Sequence, residues 1–294
     1  MSTQITTAFV QQYSSNVQLL MQQKGSVLEQ FVSKVDVKGE YRYVDQVGKA
    51  IAQLRTTRHG DTPLSNTPHS RRRLELNDWE YADLIDDEDR IRTLIDPTSA
   101  YVMAAAMAMG RAKDKEIIDA IMGTAKAGKQ GGTDVSFDSN NIIADDSKGF
   151  TFDKLREAKR ILDKNCVPND GRRVIALSAN QLSDLLSETK VTSSDYAAAQ
   201  ALVRGEITEF MGFRFVQVNG QRDASNDLLV VSSSVRKCLA WHPDCVVLGV
   251  GRDVSCEINK RPDKSNATQI DFKMSIGATR LEEGGCVEID CAEA

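Results

Sequence analysis

Apolar positions change period several times along the chain, and each change marks an element. Over residues 1–34, Phe9, Tyr13, Val17 and Leu20 recur at helical spacing among Gln and Ser, a stripe too thin to make a core of its own. The segment reads as an arm that packs on another surface. From Val35 the period falls to two. Val35-Asp-Val37, Tyr41-Arg-Tyr43, Leu74-Glu-Leu76 and Trp79-Glu-Tyr81 all alternate, around a stretch over 56–70 rich in Thr, Pro, Gly and Ser. Two extended runs about a long turn predict a protruding hairpin over 35–90. Few apolar residues line it, and a lone hairpin is marginal in water, so it requires a partner surface.

The strongest helix signal follows. Asp96 is a good N-cap and Pro97 suits a first helical position, which predicts a helix over 97–122. Tyr101 to Met109 is apolar on every face, implying burial all round, and beyond Gly110 the pattern turns amphipathic with Ile117, Ile118 and Ile121. Further helices are expected over about 151–165, from the capping box Ser178-Ala-Asn-Gln181, and over about 194–204. Strands are expected at Arg173–Leu177 and Phe213–Val218, and after Ser234 the chain reads mostly as β, with a turn at Gly249-Val-Gly251. The order is arm, hairpin, long helix, mixed block and closing strands, an α+β chain without regular β-α alternation.

Composition narrows the function classes. The chain has 294 residues, 41% hydrophobic and 27% charged, an ordinary globular balance, and a net charge of −5 that gives no global field for holding nucleic acid. No apolar run approaches a membrane span, and the first residues lack a signal-peptide pattern, so a cytosolic origin is expected. The six cysteines form no Cys-x-x-Cys pair and read as reduced thiols on strands, and no metal or cofactor site is expected.

The sharpest chemical candidate is GTAKAGKQGG, residues 123–132, whose Gly123 to Lys129 approaches a phosphate-cradling loop. Such loops leave a strand and enter a helix. This one follows a helix, carries Gln130 in place of the Mg²⁺-binding hydroxyl, and continues into two glycines, so a helix-terminating loop with solvated lysines is the better reading. Three histidines, no nucleophile elbow and no zinc-protease helix leave catalysis without visible support, and the chain is not expected to be an enzyme. The hairpin is loaded with Arg55, Arg58, Arg71, Arg72 and Arg73, close to an acidic run that includes Asp86, Asp87 and Glu88. The stacking aromatics of a single-strand platform are missing, so pairing between copies is the favoured role for these eight residues.

This order, with RRVIALSANQLSDLL (172–186), DYAAAQALVRGEITEFMGFRFV (195–216) and the ending from VSCEINKRPDKSN to GGCVEID, resembles the major capsid proteins of tailed bacteriophages, the Hong Kong 97-type fold. The resemblance implies an N-terminal arm (1–34), an extended loop (35–90), a peripheral domain (91–171 and 235–294) with a spine helix at 97–122, and an apical domain (172–234). It also implies self-assembly into hexamers and pentamers of an icosahedral shell, assembled in the host cytoplasm around double-stranded DNA held non-specifically. Arm and loop would drape over neighbouring copies. Portal and scaffolding proteins and a decoration protein are the implied partners. Some family members cross-link subunits through a lysine of the extended loop; no lysine occurs here between Lys49 and Lys113, which points to a non-covalent shell. An encapsulin-like nanocompartment shell shares the fold and stays open as an alternative, as does, from another class, a nucleotide-binding enzyme using Gly123–Lys129.

Overall fold

A computed structural model describes residues 23–58, 64–85, 98–187, 209–218, 228–229 and 231–293. The arm stripe at 9–20, the Asp96 cap, the acidic Asp86, Asp87 and Glu88 and the expected helix at 194–204 lie outside the described residues. In chain order the elements are β1 (Ser33–Asp36), β2 (Tyr41–Val47), β3 (His69–Glu75), β4 (Asn77–Ile85), α1 (Thr98–Met122), β5 (Ala125–Ala127), β6 (Thr133–Val135) and β7 (Ile142–Ile143). There follow α2 (Phe152–Lys164), β8 (Arg173–Leu177), α3 (Ala179–Ser187), β9 (Glu209–Phe210), β10 (Phe213–Gln217), β11 (Val231–Ser232), β12 (Val235–Trp241), β13 (Val246–Arg261), β14 (Ala267–Arg280) and β15 (Cys286–Ala292).

Three sheets carry the fold. A mixed sheet runs β7-β15-β12-β8-β10-β9, with β11 beside β12. Its central strand reads Arg-Val-Ile-Ala-Leu because both faces are covered: Ile175 and Leu177 meet α2 and α3 on one side, while Val174 and Ala176 meet Trp241, Ile117 and Ile121 on the other. Strand β12 pairs with β8 on one edge and with β15 on the other, so strands from 172–234 and from 235–294 share this sheet. The second sheet, β1-β13-β14-β4, supports the first half of α1, where Ala105 and Met109 pack on Phe272, Met274 and Ile276.

The structure departs from two sequence expectations here. Gly249 and Gly251 lie within the continuous strand β13 instead of a turn, and the strand bulges between Val250 and Ser255. Side chains at these glycines would overlap Leu74 and Leu76, and one at Gly277 would overlap the Glu75 carbonyl, so this glycine track is where the root of the hairpin crosses the sheet. Helix α1 is also less enclosed than its all-apolar sequence implies. Tyr101 is 39% and Met103 49% exposed, while Ala105 and Met109 on the sheet side are buried.

Helix α1 is fastened at two points. At Gly110, where any side chain would overlap the Gly25 backbone, the chain of residues 23–32 lies directly on the helix. One turn on, the fully buried Asp114 carboxylate accepts from the Val27 and Leu28 amides, the Ser26 hydroxyl and the Gln23 side-chain amide. Lys113 beside it bridges Glu29 and Asp253. Burial pushes the Glu29 carboxyl up, but Lys34 and Lys113 more than offset it, and the Lys113 hydrogen bond also holds Asp253 below the usual range. Their contribution is therefore complete above about pH 5, where both groups are ionised even in the unfolded chain, and is lost as pH falls through the lowered values. At the far end, buried Arg280 donates to the carbonyls of Ile121 and Gly123 and, from β14, to Val135. A guanidinium from a distant strand thus satisfies orphan carbonyls at the negative end of the helix. Gly123, the first residue past α1, is not among the positive-φ residues, and its amide continues the helical bond to Asp119.

Candidate assembly interface

The protruding hairpin is formed by β2 and β3, from Tyr41↔Glu75 to Val47↔His69. Its flanking strands belong elsewhere: β1 runs parallel to β13, and β4 pairs with β14. The hairpin is narrower than 35–90, being confined to about 41–75. It stands in a third sheet, β2-β3-β5-β6, and β5 and β6 come from GTAKAGKQGG and the residues just after it. The motif is thus a small ordered hairpin, with Gly128 and Gly131 supplying the positive φ of its turn, rather than a solvated loop. Lys126 is paired with Asp134, and Lys129 is exposed on a groove of about 670 Å³ that Asp45, His69 and Arg71 also line. No strand feeds a helix at this point, so the arrangement of a phosphate loop is missing.

Period two sorts the three consecutive arginines. Arg71 and Arg73 emerge on the open face, each over a tyrosine ring, Arg71 at 5.3 Å from the Tyr43 centroid and Arg73 at 4.8 Å from Tyr41. Each is also paired within the chain, Arg71 with Asp45 and Arg73 with Glu75. The Arg71 hydrogen bond holds the Asp45 carboxyl below its usual range. Arg72 points the other way, with Leu74, into the body of the protein. There its guanidinium donates to the Leu281 carbonyl and to Glu283, and it is 7% exposed. Arg72 was expected at a contact between copies; it is spent inside its own chain, joining the hairpin root to the end of β14. Arg55 and Arg58, on the turn, are exposed, and among the described residues the Arg55 Nε donates to the nearby Thr57 carbonyl alone.

The same turn carries uncovered apolar groups: Val47 is 69%, Ile51 77%, Leu54 87% and Leu64 91% exposed. Apolar side chains this exposed on a projecting loop mark a surface built to be covered. Among the described residues no cluster of three potential metal ligands occurs, and no helix is long and apolar enough to cross a membrane. All six cysteines are free, with Cys238, Cys245, Cys286 and Cys291 buried and Cys166 and Cys256 exposed. Burial pushes the Cys245 thiol up to about 12, the opposite of what a nucleophile needs.

Comparison with known proteins gives this architecture a context. The capsid of cyanophage P-SCSP1u superposes with a TM-score of 0.74 at 16% identity, over 100% of this chain and 96% of that one. The acid-stable capsid of Helicobacter pylori bacteriophage KHP30 gives 0.74 at 9% identity, over 99% and 98%. A chain of Mycobacterium phage Che8 gives 0.66 at 20%, over 96% and 97%. At these identities the likeness is one of fold, the Hong Kong 97-type α+β fold. No curated protein sequence matches the chain. A family model described as phage capsid protein matches residues 5–293. The chain belongs to that phage capsid protein family and is a major capsid protein, a structural subunit of the virion shell.

Proposed function

We propose that the chain assembles into hexamers and pentamers of an icosahedral shell around double-stranded DNA, and that the hairpin turn is what each copy lays on the next. The observation that carries this reading is the turn itself, whose Ile51, Leu54 and Leu64 have no cover within the chain. Arg55 and Arg58 are the arginines free to meet a neighbour, and Asp86, Asp87 and Glu88 of that neighbour are their proposed seat. Arg71 and Arg73, already paired and stacked, stiffen the hairpin and present their remaining donors. The peripheral unit is drawn around α1 and the sheet β1-β13-β14-β4, and the apical unit around the mixed sheet, with β12 and β15 included. A net charge of −5 suits a wall that encloses DNA without gripping it. Assembly in the host cytoplasm, with portal and scaffolding proteins and a decoration protein as further partners, belongs to the same proposal.

Excising residues 49–67 in favour of Gly-Gly is expected to leave subunits that fold but form no closed particles by electron microscopy, because the hairpin root at Arg72 and Leu74 is untouched. Shells of normal yield from that variant would refute the role of the turn. Charge reversal tests the pairing separately. Arg55→Glu with Arg58→Glu is expected to block assembly, and Asp86→Arg with Asp87→Arg in the same chain to restore it. Failure to restore would remove the acidic seat from the account.

A further inference from the structure

Helix α1 meets β4, the strand that leaves the hairpin, across a carboxylate. Glu116 is half-buried one turn beyond Ala112, which packs on the sheet. It accepts from the Asn77 side-chain amide at 2.7 Å. The Trp79 indole nitrogen, buried and with no completed hydrogen bond, faces the same carboxylate. Both partners are neutral. Strand β14 meets the helix with the apolar Met274 and Ile276. Asp78, Glu80, Asp271 and Lys273 of these two strands lie on the opposite face of the sheet by the period of two. The charged groups beside Glu116 are Lys115 and Asp119, both on α1 itself and paired with each other at 3.8 Å.

A carboxyl taken out of water between a helix and a sheet that offers it neutral donors is favoured in its protonated form. Burial accordingly pushes the Glu116 carboxyl above its ordinary value and Asp119 adds to the push, while Asn77, Trp79 and Lys115 oppose it without cancelling it. We infer that Glu116 is a proton-operated latch between α1 and the root of the hairpin: as a carboxylic acid it holds β4 on the helix, and as a carboxylate it is drawn toward water and loosens that contact. The acid keeps a carbonyl oxygen to accept from Asn77, so protonation costs the contact no acceptor. The sign follows from linkage. The folded chain binds this proton more tightly than the unfolded one, so the charge costs stability above the raised value, and the cost is gone below the unfolded value. Acid therefore firms the hairpin root, the reverse of its effect at Glu29 and Asp253. The latch acts within one subunit, whatever the hairpin touches in the shell.

Dilute full-length subunits carrying Glu116→Gln read the latch directly, since glutamine keeps the shape and the acceptor but cannot ionise. At pH 7 the variant is expected to unfold at a higher temperature than the unmodified chain, with amide exchange over 77–81 slowed severalfold. Both differences should close below about pH 4. A variant less stable at pH 7, or a difference that pH does not change, would overturn the inference, because the carboxylate itself would then be what holds β4. Tryptophan emission gives a second readout. Trp79 is one of two tryptophans, and the other, Trp241, is fully buried with its indole N–H on the Phe31 carbonyl. Emission of the unmodified chain should shift at a midpoint above the ordinary glutamate value of 4.5, and Glu116→Gln should lack that shift. A shift that survives the substitution would equally overturn the latch.

Discussion

Asp114→Ala is expected to destabilise the unassembled subunit by about 3–5 kcal/mol, a fall in unfolding temperature of roughly 6–15 °C for a chain of this size. The carboxylate has no exposed surface and receives donors from four residues of the strap, two of them backbone amides that have no other place to turn. Alanine would strand those donors beside Gly110, where the strap backbone already touches the helix. Asp114→Asn keeps the shape but exchanges one acceptor for a donor, so its loss should fall between wild type and alanine. Calorimetry on subunits held below their assembly concentration is the appropriate measurement, since assembly itself would add apparent stability. A loss under about 1 kcal/mol would show that the strap is held by the apolar contacts of Leu28 and Val32 alone.

A second large effect is expected at Lys154. Its ammonium is buried and donates to three backbone carbonyls, those of Asp145 and Asp290 and of Lys148, at 2.7–2.8 Å. It therefore joins α2, the loop before it and the closing strand β15 as a tethered cation would. Lys154→Met keeps most of the apolar stem and removes the charge. The expected cost is about 2–4 kcal/mol, because charge-assisted bonds are the stronger kind and three acceptors lose one partner each. The effect should localise: amide exchange in 145–148 and 290–292 should quicken more than in α1. Uniform quickening across the chain would mean that Lys154 contributes only to global stability.

Much of this architecture was legible because local signals agreed with tertiary need. The long helix, the α2 helix opened by Thr151, and the strands at 173 and 213 all fall within a residue or two of where their patterns place them. What escaped was long-range. The C-terminal cap of α1 is Arg280, 157 positions from the Gly123 carbonyl it holds, and no nearby residue announces it. The split among Arg71, Arg72 and Arg73 was, by contrast, readable: Leu74 faces inward, so in a strand Arg72 must share its side. The glycines at 249 and 251 misled for a physical reason, since glycine marks both a turn and a strand crossed by another chain segment, and only packing tells them apart. The phosphate-loop likeness of residues 123–129 failed on context, ending as part of the sheet that braces the hairpin.

Whether this subunit builds a closed shell through its projecting turn is decided by cryo-electron microscopy of the purified, unmodified protein. The expected result is closed particles in which Ile51, Leu54 and Leu64 of each copy are covered by the adjacent copy, with Arg55 and Arg58 near its Asp86, Asp87 and Glu88. A small oligomer of fixed mass, with the turn still in solvent, would contradict it.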